Sequence, residues 1–154
     1  MIIGLGTDVI SKHRIQKIID SMEQPFAKKC LGEQEELAYE KMSDPQRLNF
    51  FAKRFCAKEA VAKAIGCGIC KSLFLRDIEI LNDWRGKPFV DINDRIENAI
   101  SESSIFLSII NDCRISSKEG LSATKIHISI SDEVEYVVAT AIIECSVSKI
   151  LANK

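Results

Sequence analysis

Little in this chain pulls it toward nucleic acid or a membrane. Its 21 basic and 22 acidic residues leave a formal net charge of −1, so attraction for a charged partner has to come from a local patch. No apolar run approaches the roughly 18 residues of a membrane span, and the N-terminus has no basic stretch followed by an apolar run and a cleavage site. We therefore expect a cytoplasmic protein with neither nucleic acid nor membrane as partner. After the pair Gly4 and Gly6 a third glycine is missing. Val9 stands where a dinucleotide-binding fingerprint needs glycine or alanine, which argues against that mode of binding. A Walker lysine is also missing, so phosphates would be held by side chains and metal rather than by a glycine-rich cradle. The six cysteines, Cys30, Cys56, Cys67, Cys70, Cys113 and Cys145, form no disulfide framework. The spacing of Cys67 and Cys70 suits a redox pair or half a zinc site, but no second pair or nearby histidine completes a ligand set. Reduced thiols are the expectation.

What is present fits one compact α+β domain spanning 1–154. At 154 residues and 46% hydrophobic content the chain can bury its own core. A strand is predicted over Ile2–Val9, then a helix from Lys12 to Met22 with Ser11 as N-cap. Short helical stretches follow at Phe26–Cys30 and Glu33–Met42. Ser43-Asp44-Pro45 reads as a break and helix start, opening a long apolar helix that ends at Gly66. Strands are expected at Asp77–Leu81 and Pro88–Ile92 around a hairpin-like loop, and a further helix near Asn93. Lys125–Ser131 alternates strictly, and Tyr136–Cys145 is a long apolar strand. The stretch 101–124 is weaker: Ile105 to Leu107 and Ile109-Ile110 fit either strand or helix, and Ser116–Ser122 reads as loop. Strands separated by unequal helical segments indicate α+β rather than a regular parallel fold.

Two carboxylates stand where packing alone would not put them. Strand alternation places Asp8 on the same face as Gly4 and Gly6, so two positions beside it carry no side chain. That leaves room for a ligand or for a close backbone approach; an Asp ending the strand and capping the next helix is the alternative. Glu59 lies in a helix almost all apolar, hence largely buried, and a carboxylate out of water needs a cation. Glu59 and Lys63 fall within about 40° of each other on that helix, so a plain i,i+4 pair is the competing reading. Arg54 and Lys58 share a different face.

At this point the residues resemble a known family. GLGTDVI followed by Arg14 and Ile15, RFCAKEAVAKAIG from Arg54 to Gly66, RDIEI from Arg76 to Ile80, Gly86-Lys87-Pro88, and HISIS from His127 to Ser131 occur in the order found in the bacterial holo-acyl-carrier-protein synthases. These are the small class of 4′-phosphopantetheinyl transferases. The resemblance implies an antiparallel-type sheet packed on a long apolar helix, and a homotrimer with active sites between subunits. It implies transfer of phosphopantetheine from coenzyme A to a serine of apo-acyl carrier protein, with adenosine 3′,5′-bisphosphate as second product, in support of fatty acid biosynthesis.

Carried over residue by residue, the resemblance makes Asp8 and Glu59 ligands of Mg²⁺ and places Lys63 near the pyrophosphate as a third catalytic residue. Two carboxylates completed by phosphate oxygens and water suit Mg²⁺. Arg54, Gly86, Lys87, Pro88 and His127 would contact the nucleotide end, with Arg47 a further candidate for the 3′-phosphate. A lone strand His is otherwise a structural hydrogen bonder. Arg54 and Glu59 lie about 140° apart on their helix, so they would serve neighbouring sites. Arg14 and Lys17, with Lys12, Lys28 and Lys29 nearby, would meet the acidic carrier protein; an ordinary solvated charged face is the alternative. Two positions depart from the family: Asp132 stands where a second histidine is common, and Arg85 where a polar amide is frequent. Residue chemistry alone also allows a metal-dependent phosphoesterase or nucleotidyl enzyme, or a non-catalytic binding module.

Overall fold

A computed structural model describes residues 1–69, 73–104, 106–108 and 124–145. Strand β1 (Ile2–Ser11) leads directly into helix α1 (Lys12–Cys30), followed by α2 (Glu33–Glu40) and the long α3 (Asp44–Ile65). A 3₁₀ turn at Leu75–Asp77 precedes the hairpin β2 (Glu79–Asn82) and β3 (Pro88–Asp91), then α4 (Asp94–Glu102), β4 (Thr124–Asp132) and β5 (Tyr136–Cys145). The main sheet has three antiparallel strands in the order β1-β5-β4, and β2 and β3 form a separate two-stranded sheet.

Most expected elements are present, with informative differences. The two helices expected over Lys12–Met22 and Phe26–Cys30 are one element, α1, with a kink where Met22 takes φ −157° and ψ 45°. Pro25 explains it: the ring has no N–H to give to the carbonyl of Ser21 and crowds that carbonyl. Ser11 stands at the N-cap, but its side chain makes no capping bond. The strand expected from Asp77 begins only at Glu79, because the Asp77 carboxylate accepts the Phe74 N–H at 2.9 Å and closes a 3₁₀ turn. Helix α4 is capped by Asn93, whose side-chain oxygen accepts the N–H groups of Arg95 and Ile96 at 3.1 Å each. Ser116–Ser122, Ile109-Ile110, Cys70 and Cys113 lie outside the described residues.

The core forms where α3 crosses the inner face of the main sheet. Val137, Ala139, Ala141, Ile143 and Cys145 alternate inward from β5, and Ala57, Ala60, Val61 and Ala64 meet them from α3. Gly4 and Gly6 set the distance. A methyl group on Gly6 would run into the carbonyl oxygen of Ala60 and the amide of Ala64, and one on Gly4 into the carbonyl of Ala64. Of the two uses open to these glycines, the structure takes close backbone approach. Helix α3 stops at Gly66, whose φ of 86° is the left-handed conformation that ends a helix most easily without a Cβ. The outer face of the same sheet carries Leu5, Val9 and Val138, all exposed.

Candidate active site

Because the two backbones touch, residues on β1 and α3 next to the glycines face each other at short range. Lys63 Nζ donates to Asp8 Oδ1 at 2.9 Å and to the Thr7 carbonyl at 3.1 Å. Glu59, one turn earlier on α3, is half-buried and close enough to Asp8 to feel its charge. Burial and then the Asp8 carboxylate push the Glu59 pKa up, against the pull of Lys63 and Arg14. Lys63, the partner of Glu59 in the competing i,i+4 reading, is bonded to Asp8, which raises the Lys63 pKa. Two carboxylates crowded beside one ammonium make a centre that favours an added cation. Among the described residues no group of three or more His, Cys, Asp or Glu side chains gathers at one point. Asp8 and Glu59 are the two carboxylates this centre would offer a metal, with the remaining positions open to phosphate and water. That donor set fits Mg²⁺.

A second cluster lies round α3 from the first. Arg54 lines a cleft of about 260 Å³ together with Phe50, Lys53, Asn82, Gly86, Pro88, Ile130 and Asp132. Its guanidinium donates to Asn82 Oδ1 at 2.5 Å, lies 3.6 Å from Glu35 Oε1 and stacks 4.6 Å from the Phe50 ring centre. Burial lowers the Arg54 pKa while Glu35 opposes the shift. The turn beside it is built by Asp83, whose Oδ1 accepts the N–H groups of Arg85 at 2.8 Å and Lys87 at 2.9 Å. Gly86, at φ 83°, completes the turn. Arg54, Gly86 and Pro88 thus come together as expected, and Lys87 is exposed beside them.

Other expected residues are placed differently. His127 lies on the outer face of the sheet, with Nε2 2.8 Å from Glu144 Oε2, away from the cleft within this chain. Arg47 is at the start of α3, paired with Glu23 at 3.3 Å and stacked 5.2 Å from the Tyr39 ring centre. Arg14 and Lys17 are exposed on α1, as are Lys28 and Lys29. Lys12 leaves the expected basic face: it is buried and bonded to Asp132 at 3.4 Å, because β4 brings that carboxylate over the start of α1. Asn82 and Glu35, which hold Arg54, were not singled out in the sequence. The only trace of Glu35 there is its place three residues after Gly32, whose N–H it accepts at 2.9 Å.

Residues 4–138 match the model of the 4′-phosphopantetheinyl transferase superfamily. The chain is 43% identical over 147 residues to a holo-[acyl-carrier-protein] synthase of Orientia tsutsugamushi (strain Ikeda), covering 96% of this chain and 100% of that relative. A holo-[acyl-carrier-protein] synthase of Wigglesworthia glossinidia brevipalpis is 35% identical over 99% of both chains. The fold is similar to the crystal structure of the Bacillus anthracis synthase in complex with CoA (3′,5′-ADP), with a TM-score of 0.71 at 32% identity over 95% of this chain and 99% of that one.

Proposed function

Because the chain belongs to the 4′-phosphopantetheinyl transferase superfamily, we propose that Asp8, Glu59 and Lys63 form its transfer centre and that Arg54, Gly86, Lys87 and Pro88 hold the nucleotide. The activity is phosphopantetheinyl transfer: 4′-phosphopantetheine passes from coenzyme A to a serine of apo-acyl carrier protein, and adenosine 3′,5′-bisphosphate leaves. The serine oxygen forms a bond to the pantetheine-bearing phosphorus as the bond to the bridging pyrophosphate oxygen breaks; the bridging oxygen leaves with the nucleotide and the hydroxyl proton is released to solvent. Asp8 and Glu59 are the residues that would hold Mg²⁺, which when bound neutralises charge on the pyrophosphate oxygens. Lys63, already poised at Asp8, adds a positive charge beside the phosphates. The ammonium of Lys63 on Asp8 at 2.9 Å, one turn from Glu59 where Gly4 and Gly6 bring β1 against α3, is the observation that carries this reading.

Two features support the homotrimer that belongs to the same proposal. Leu5, Val9 and Val138 leave an apolar stripe on the outer face of the sheet, which a second copy would cover. His127 lies on that face and Arg54 lies round α3 from Glu59, so a site between subunits would let a neighbour supply the nucleotide contacts. Arg47 remains a candidate for the 3′-phosphate in that assembly. Arg14 and Lys17 would meet the acidic carrier. We place the protein as one domain over 1–154, in the cytoplasm, serving fatty acid biosynthesis.

Intact-mass spectrometry of apo-acyl carrier protein incubated with this protein, coenzyme A and Mg²⁺ tests the reading, with EDTA as control. A metal-dependent gain of one phosphopantetheine is expected. No gain on several carriers, with adenosine 3′,5′-bisphosphate still released, would show a hydrolase instead. A fully active monomer would remove the shared site.

A further inference from the structure

The cleft at Arg54 is backed by a buried ion network that the transfer chemistry does not use. Glu35, 1% exposed, accepts the N–H groups of Gly32 at 2.9 Å and Ile80 at 3.0 Å, and also the ammonium of Lys58. Lys58, fully buried, spends its other hydrogens on the carbonyls of Cys30 at 2.6 Å and Leu75 at 3.1 Å. One carboxylate therefore faces two cations. Of these two, Arg54 lies on the wall of the cleft beside Lys53, and the two cations outnumber the one carboxylate there, Asp132, which suits the cleft to an anion.

Arg54 reaches that wall through one amide. Asn82 Oδ1 accepts from the guanidinium at 2.5 Å, while Asn82 Nδ2 donates to the Gly86 carbonyl at 2.7 Å. A guanidinium only donates and a carbonyl only accepts, so the partners themselves fix which way the amide points. Asn82 ends β2 opposite Pro88, so the same residue sits between both lining segments of the cleft. We infer that Asn82 is a positioning residue for the nucleotide end of coenzyme A, holding the Arg54 guanidinium and the Gly86 turn in fixed relation across the cleft. This role rests on the transferase reading. Its physical basis is preorganisation: a long arginine side chain ordered before the ligand arrives loses less freedom on binding.

Asn82→Ala should raise the KM for coenzyme A and the calorimetric Kd for adenosine 3′,5′-bisphosphate about tenfold, as expected for losing hydrogen bonds to a charged group. The KM for carrier protein, kcat and Tm should stay near wild type, since Asn82 is exposed. On an Arg54→Ala background the same substitution should add little, because its effect runs through Arg54. An unchanged Kd in Asn82→Ala, a full additional effect without Arg54, or an equal fall in kcat and Tm would overturn the role while leaving the transferase reading intact. Absence of transfer by the wild type would take both down together.

Discussion

Two glutamates define the contrast between the two flanks of α3. Glu35 is deeply buried, yet two backbone N–H groups, Lys58 and Arg54 surround it. Glu59 is only half-buried, yet the charge acting on it most is another carboxylate, Asp8, and the adjacent lysine is bonded elsewhere. Burial alone would rank Glu35 as the unusual residue. The difference in partners reverses that ranking: a buried charge with a complete shell is structure, whereas an incompletely neutralised charge near the surface is a place for a ligand.

The sharpest way to break the contrast is to exchange the readouts. Asp8→Ala or Glu59→Ala should lower kcat/KM by at least about 10³-fold, several kcal/mol of lost stabilisation of the transferring phosphate, while urea unfolding stays close to wild type. Glu35→Ala should behave the opposite way, destabilising by about 3–5 kcal/mol because Lys58 and Arg54 would be left buried without a counter-charge. Lys58→Met should be milder than Glu35→Ala, since Glu35 keeps Arg54 and two N–H donors. A Glu59 variant that unfolds, or a Glu35 variant of native stability, would erase the distinction.

A smaller effect tests what brings the first flank together. Gly6→Ala places a methyl against the backbone of Ala60 and Ala64, and strain of this kind costs about 1–3 kcal/mol. Because the helix must move away from β1, the distance between Asp8 and Glu59 changes too. Transfer should therefore fall further than Tm does. Equal activity in this variant would show that the close approach serves packing alone.

The two flanks were unequally legible in the sequence. Asp8 and Glu59 stand out because each interrupts a local pattern, one beside two glycines in a strand and the other in an apolar helical run. Glu35 interrupts nothing: EQEELAYE reads as a solvated acidic helix, and its partners Lys58 and Ile80 are far along the chain. The same holds for Asn82, a turn residue whose partner Arg54 lies on α3. Strand β5 is legible in full because Tyr136–Cys145 is a long, mainly apolar run, whereas Asp77 reads as strand because a side-chain bond to Phe74 leaves no trace in periodicity. Tertiary partners are what local pattern omits, and the positioning network consists of little else.

Arg14→Glu probes the edge of the first flank. Arg14 is exposed on α1 yet near enough to Glu59 to lower its pKa. Reversing its charge should raise the KM for the acidic carrier about tenfold with a smaller change in kcat, and added salt should shrink the gap between variant and wild type. An unchanged carrier KM would move the docking surface elsewhere.

Asp132 offers the least effect and a third kind of arrangement, a charge fully paired at the surface. It accepts from Lys53 at 3.2 Å and Lys12 at 3.4 Å. Burial pushes its pKa up, but the two lysines outweigh burial and hold it below the ordinary 3.8. The folded state thus binds this proton less tightly than the unfolded chain, so the stabilisation is complete above the ordinary value and is lost as pH falls through the lowered one. Asp132→Asn should cost about 1 kcal/mol at pH 7, the upper end of the range for exposed pairs because Lys12 is left buried without its partner, and nothing once the pH is below both values. The histidine common here in the resembling family could not accept from two ammonium groups, so this chain's aspartate belongs with its two lysines. Removing the carboxylate also leaves Lys53 unneutralised in the cleft beside Arg54. The KM for coenzyme A should then fall by about twofold at low salt while stability falls slightly, opposite signs that a purely structural ion pair would not produce.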